Sequence, residues 1–317
     1  MEKEPAKTKQ IKVKIYINRK PRHGPWGGGN KLVTELSEAL LAKKHEVTYS
    51  LEHEDIDVIL CFDPRPNQRG EWYQTFLQYR EKFGAKIIQR VGDLGTHSKP
   101  ELTNLVRQTI SLSDFIIFPS EWAKEWIGYK KDNCVVIHNA ALDIFHEYKK
   151  PSLELGRPIR LVTHHWSNNK KKGFDIYKKI DELVGKHPDK YQFTYIGRIP
   201  SNFSFRFANY IEPIESEKIS KILSENNIYV TASREEAGAN HVLEAMAAGL
   251  PILYHEDGGS IVDYCDKYGL GFDTYDTFLL KLETMCRYYK KYKGEVLGYE
   301  NTINTAAKKY IEFIDGK

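Results

Sequence analysis

Long apolar runs, paired cysteines and an excess of one charge are all missing from this 317-residue chain. Its four cysteines, Cys61, Cys134, Cys265 and Cys286, are far apart and form no C-x-x-C pair. That excludes a zinc ribbon, a dithiol redox motif and a disulfide-stapled scaffold, and leaves reduced thiols as the reading. No run approaches the ~20 apolar residues that cross a bilayer. DFIIF is short, and VLEAMAAGLPILY carries Glu244. The start, MEKEPAKTKQ, is charged and has no apolar segment of a leader peptide, so a cytoplasmic protein is expected. Lys+Arg 47 against Asp+Glu 43 leaves a net charge of +4, too little for a nucleic-acid footprint. Metal-ligand spacings are also lacking. Asp55-Ile56-Asp57 is a D-x-D, but it precedes a buried strand, so neither metal nor cofactor is expected.

What remains is ordinary globular composition, with 41% hydrophobic and 28% charged residues. Length divided by ~150 suggests two domains. Short β-rich runs alternate with helical patterns. IKVKIYI, HEVTYSL, VILCF, AKIIQRV, DFIIFPS and CVVIHN read as strands. KLVTELSEALLAKK between the first two carries Leu32, Leu36, Leu40 and Leu41 at helical spacing. The rhythm pauses over 140–158, which has two prolines and a glycine and reads as a linker, and then restarts through IRLVTHH, QFTYIG, IYVTAS and PILYHE. Strands separated by helices imply parallel sheets with both faces covered. The expected fold class is α/β, with two Rossmann-like, doubly wound domains facing across a cleft. The boundaries are 1–148 and 149–317, with the last helix, about 300–317, packing back on the first domain. Ligands in such folds sit beyond the carboxyl ends of the strands.

Three segments fall at such ends. RHGPWGGGNKL follows the first strand; Gly28 and Gly29 let the backbone approach a ligand, and Asn30 is placed to cap the next helix. Free N–H groups at that helix start favour a phosphate. The run is neither a P-loop, because Asn30 stands where lysine is required, nor a G-x-G-x-x-G, because Leu32 takes the third glycine position. The second segment, SREEAGANHVLEAMAAGLP, places Glu236 and Glu244 eight positions apart around a helix start near Asn240. A carboxylate there accepts two hydroxyl hydrogen bonds, as a ribose diol offers. A glutamate between Leu243 and Ala245 is a poor choice for packing alone. The third, RVGDLGTHSKP, puts Asp93 and His97 at a strand end, where a neutral histidine can take a hydroxyl proton or bind a sugar.

The run S-x-x-E, seven residues, then E-A-M-A-x-G-x-P resembles the donor-site signature of retaining glycosyltransferase family 4, which has the GT-B fold. DFIIFPSEWAKEWI followed by CVVIHNAALDIF is similar to that family's crossing between domains, and HEDGGSIVDYC to its G-G segment. The resemblance implies that Glu236 contacts donor-sugar hydroxyls and Glu244 holds the nucleotide ribose. It implies that amides around Gly238, Ala239 and Asn240 meet the sugar or diphosphate, and that Lys172, with Lys170 and Lys171 as rivals, neutralises the departing diphosphate. His241, inside the motif, is expected to touch the donor. The chain departs from the family at Ser167, where an arginine is usual, and at Ala237-Gly238-Ala239; Arg198 in the IGRIP turn is a candidate substitute cation.

The implied activity is retaining transfer of a sugar from a UDP- or GDP-linked donor to a hydroxyl of a glycan, lipid or other acceptor. Domain closure would exclude water. A nucleotide-sugar epimerase or hydrolase, or a non-catalytic nucleotide-sugar-binding module, are the alternatives. The basic-aromatic stretches RYYKKYK and WAKEWIGYKK read first as solvated faces with inward aromatics, and second as a peripheral contact with an anionic membrane or a charged acceptor.

Overall fold

The computed structural model describes residues 12–22, 28–152 and 154–317. His23, Gly24 and Gly27 of the glycine cluster lie outside the described residues. In chain order the first sheet contains β1 (Lys14–Ile17), β2 (Glu46–Thr48), β3 (Val58–Cys61), β4 (Lys86–Arg90), β5 (Phe115–Phe118) and β6 (Cys134–Val136). The second contains β7 (Ile159–His165), β8 (Tyr191–Gly197), β9 (Asn209–Ile211), β10 (Ile228–Thr231), β11 (Ile252–His255) and β12 (Gly269–Phe272). All ten strand pairings are parallel. Helices cover both faces, so β3, β10 and β11 are buried at every position and read as unbroken apolar runs rather than alternating ones.

The strand orders are β2-β1-β3-β4-β5-β6 and β12-β11-β10-β7-β8-β9. Each sheet therefore reverses its winding once, between β1 and β3 in the first and between β7 and β10 in the second. At such a reversal the flanking helices part and leave a crevice beyond the strand ends. The two crevices face each other, and everything functional below lies at one or the other.

The segment 140–158 is more than the linker its composition suggested. It contains the short helix Ile144–Glu147, and Phe145 is fully buried against Val242, Leu243 and Met246. Apolar residues at Leu142, Ile144 and Phe145 outweigh the later prolines and tie the crossing to the second sheet. The helix Ile303–Asp315 crosses back. Its buried residues Ile303, Ala306, Ala307, Tyr310, Ile311 and Ile314 recur at three- and four-residue steps and share a cluster with Leu32, Val33, Leu36 and Leu40 of the helix Gly28–Ala42.

Asn30 does not cap that first helix. The helix begins at Gly28, and Asn30 sits in its opening turn. Its side-chain carbonyl accepts from the Arg22 amide and its amide donates to the Arg22 carbonyl, both at 2.8 Å, so the residue ties the helix start to Arg22 instead.

Candidate functional site

At the second crevice a cavity of about 400 Å³ is lined by residues from five segments, including Gly28, Lys172, Glu236, Gly238, Ala239, Asn240, His241 and Glu244. The lysine is placed by a one-turn 3-10 helix, Lys170–Lys172, which ends on Gly173. Gly173 has φ +86, and a Cβ there would lie 2.3 Å from Ala232 Cβ, so only glycine lets the turn press onto the end of β10. That pressure turns Lys172 inward, buried, while Lys170 stays exposed and Lys171 pairs with Glu235 at 2.5 Å.

Lys172 Nζ donates to Glu236 Oε1. Burial would raise the Glu236 carboxyl, but Lys172, aided by His241 and His97, outweighs it and holds the group down at about 2. The Glu236 backbone is clamped as well. Its amide donates to Gly258 O at 3.2 Å, and its carbonyl accepts from Ser260 at 2.9 Å. A Cβ on Gly259 would lie 2.6 Å from that carbonyl, which explains the Gly-Gly pair in HEDGGSIVDYC. Glu235, next to it, is held at φ +53, a conformation that non-glycine residues rarely adopt outside functional turns.

Glu244 lies in the helix Asn240–Ala247 and is the one buried carboxylate on its apolar face. His164 Nε2 and Lys31 Nζ both donate to it at 2.8 Å. Against burial, which raises it, Lys31 and His164 bring this carboxyl to about 2. Lys31 comes from the first half of the chain, so this ion pair spans the cleft. Two helix starts meet here: a Cβ on Gly28 would fall 1.2 Å from Asn240 Nδ2. His241 is buried between Thr231 (3.1 Å) and the His165 ring (centroids 4.9 Å apart). Burial drives it down to about 3, so it is neutral at pH 7.

Asp93 and His97 line an adjoining cavity of about 440 Å³ that also reaches Gly29, Lys172, Glu236 and Asn240. His97 Nε2 donates to the Arg234 carbonyl at 3.0 Å, so that nitrogen holds its proton and cannot take another. Thr96 donates to the Glu235 carbonyl at 2.7 Å, and Asp93 pairs with Lys99 at 2.8 Å. The 90–100 loop thus buttresses the Glu236 turn from across the cleft. Arg198 is exposed, with its guanidinium 4.0 Å from the Trp166 ring centroid. Trp166, not Arg198, lines the cavities.

Sequence reasoning missed Lys31 and Asn139. Asn139 stands in the I-x-N of IHNAALDIF; its Nδ2 donates to Gly238 O at 3.2 Å, fixing the turn before Asn240. A Cβ on Gly238 would lie 2.8 Å from that same amide nitrogen, so the turn has no room for a side chain. Lys31 is the first lysine after the glycine cluster, a position whose partner 213 residues away no local pattern reveals. The D-x-D is spoken for: Asp55 pairs with Lys14, and Asp57 accepts from the Lys14 amide, each at 2.7 Å. Tyr289 and Lys293 of RYYKKYK are buried, with Lys293 donating to Gly249 O at 2.6 Å, so two of its seven residues belong to the core. Among the described residues no helix is long and apolar enough to cross a membrane.

No protein-family model matches the chain, and no curated protein matches it by sequence. Solved structures do match. Sucrose-phosphate synthase from Thermosynechococcus elongatus superposes with a TM-score of 0.67 at 14% identity, over 96% of this chain and 99% of that one. Anabaena HepE, solved in complex with UDP-glucose, gives 0.66 at 11% identity over 96% and 100%. WaaG, a glycosyltransferase involved in lipopolysaccharide biosynthesis, gives 0.66 at 12% over the same shares. The architecture is GT-B. Two facing doubly wound sheets, with the last helix returned to the first, account for the described residues.

Proposed function

We propose that the protein is a retaining glycosyltransferase of the family 4 type, which moves a sugar from a UDP- or GDP-linked donor to an acceptor hydroxyl. The observation that carries the reading is the placement of Glu236 and Glu244, eight residues apart, in one cavity with Lys172 between strand ends and a helix start. Residues 149–317 take the donor and residues 1–148 the acceptor. Glu244 accepts the ribose hydroxyls, sharing the role now filled by Lys31 and His164. Glu236 accepts from sugar hydroxyls. The amides of Gly238 to Asn240 and of Gly28 to Gly29 face the diphosphate from two helix starts. Lys172 then shifts its attraction from Glu236 to the departing phosphate, where negative charge develops.

In the transfer step the anomeric C–O bond to phosphate breaks and a new C–O bond forms to the acceptor on the same face. The hydroxyl proton passes to the leaving phosphate oxygen, giving nucleoside diphosphate and glycoside. No side-chain base is needed in this step, because the leaving phosphate oxygen takes the proton. The test is product analysis by NMR. The expected product, formed only when donor and acceptor are both present, keeps the donor's anomeric configuration. Sugar release or isomerisation from donor alone would favour the hydrolase or epimerase reading, and inversion would refute retention.

A further inference from the structure

The first crevice, where β1 and β3 part, holds a cavity of about 860 Å³. Its wall carries six cations, Arg19, Lys20, Arg22, Arg65, Arg69 and Arg90, against one carboxylate, Asp63. The lining thus concentrates more positive charge than the whole chain's +4. Asp63 is already shared, with Arg19 at 2.9 Å and Arg65 at 2.7 Å. Arg69 donates to Ser50 Oγ at 2.8 Å and reaches only the exposed Glu52, at 3.9 Å.

Arg90 is the deciding residue. It ends β4, is 5% exposed, and lines both this cavity and the one beside Lys172 and Glu236. Its Nη2 donates to Asn139 Oδ1 at 2.8 Å, but its Nε has no hydrogen-bond partner among the described residues, and no carboxylate there pairs with it. The Asn139 bond and the Phe62 ring, 5.7 Å away, replace only part of its lost hydration, and a buried guanidinium without an anion is costly. Such a group is kept where a ligand supplies the anion, and guanidinium forks match phosphate oxygens in geometry.

We propose that the acceptor carries a phosphate group, which seats among Arg90, Arg19 and Arg69 while a neighbouring hydroxyl faces the donor cavity. This rests on the transfer reaction proposed above and names the class of its acceptor. Phosphate fits the wall better than a carboxylate. A phosphate monoester brings nearly two charges and three acceptor oxygens to an array of many donors. The phosphate belongs either to a soluble sugar phosphate or to a lipid headgroup.

The experiment is calorimetric titration of the whole protein, with and without saturating UDP, using glucose, glucuronic acid and glucose 6-phosphate. A parallel arm measures co-sedimentation with vesicles of phosphatidylinositol 4-phosphate, a lipid phosphate monoester, in phosphatidylcholine against phosphatidylcholine alone. One phosphate probe, soluble or vesicular, is expected to bind at least tenfold tighter than its neutral counterpart. That preference is expected to fall several-fold from 50 to 300 mM salt and to be lost in Arg90→Gln. Should the buried variant fail to fold, Arg69→Ala with Lys20→Ala, both exposed, must weaken the same binding about threefold or more. Equal binding of neutral and phosphorylated probes, glucuronate binding as tightly as glucose 6-phosphate, or binding indifferent to these substitutions would each overturn the proposal. UDP binding is scored separately. A protein that binds the phosphate probe but no nucleotide would undo the donor assignment and leave this one standing.

Discussion

The two crevices come from the same topological event and have opposite electrostatics. At the second, the partly buried Glu236 and the buried Glu244 each meet a cation of this chain, Lys172 for one and Lys31 for the other, and His164 also donates to Glu244. At the first, arginines outnumber carboxylates, and the most buried of them has no ionic partner among the described residues. A carboxylate whose partner is a lysine can exchange it for a diol without being left bare. A cation without a carboxylate calls for an anion from outside.

The largest effect should come from breaking the balance at the second crevice. Glu236→Ala leaves Lys172 buried and unpaired, which costs about 3 kcal/mol of stability by analogy with other broken buried pairs, and transfer should fall at least ~100-fold. Urea unfolding and initial rates measure the two. A variant as stable and active as the parent would mean that Glu236 is peripheral. Lys172→Met should follow, with a rate loss of roughly 100-fold, the usual scale for removing a group that meets developing charge. Its kcat should suffer more than its KM.

Gly28→Ala probes the meeting of the two helix starts. The added methyl would displace the Asn240 side chain, whose Nδ2 lies 1.2 Å from the Cβ position. Nucleotide affinity should drop roughly tenfold, with a stability loss of about 1 kcal/mol, the lower end of what overpacking costs. Asp63→Ala at the first crevice should cost less than ~1 kcal/mol, because its partners are partly exposed. A loss as large as that of Glu236→Ala would erase the contrast between the crevices.

Acid should act on the second crevice first. The His241 imidazole sits near 3 when folded, below its ordinary 6.5, so the fold favours its neutral form. Its contribution is complete above pH 6.5 and is lost as the unfolded chain takes up the proton between 6.5 and 3. Glu236 and Glu244, both near 2 against an ordinary 4.5, add a loss as pH falls from 4.5 towards 2. Denaturant midpoints at pH 7.5, 5.5 and 4 should decline in that order. A flat profile would contradict the burial of these groups.

The doubly wound pattern was legible because parallel strands leave apolar runs such as VILC and FIIF, which stand out between helical repeats. β9 and β12 were not, since Asn209–Ile211 is a short, largely exposed edge and Gly269–Phe272 carries two glycines. The Glu236–Glu244 turn was legible because a glutamate amid small apolar residues has no packing rationale. Lys31 and Arg90 were opaque for the opposite reason. A lysine at a helix start and an arginine at a strand end are unremarkable until the fold brings Glu244 to one and withholds a carboxylate from the other. His97 was noticed, but its hydrogen bond to the Arg234 carbonyl depends on how closely the facing loops approach, which no local pattern encodes.

The central claim is that the cavity holding Glu236 and Glu244 takes a nucleotide sugar. Thermal denaturation with a panel of UDP-, GDP- and ADP-linked sugars tests it most directly. A ligand at about 100 times its Kd adds ~2.7 kcal/mol, so at least one member should raise the melting temperature by about 3 °C or more. Glu244→Ala should abolish that rise. No shift from any donor, or an undiminished shift in Glu244→Ala, would contradict the account.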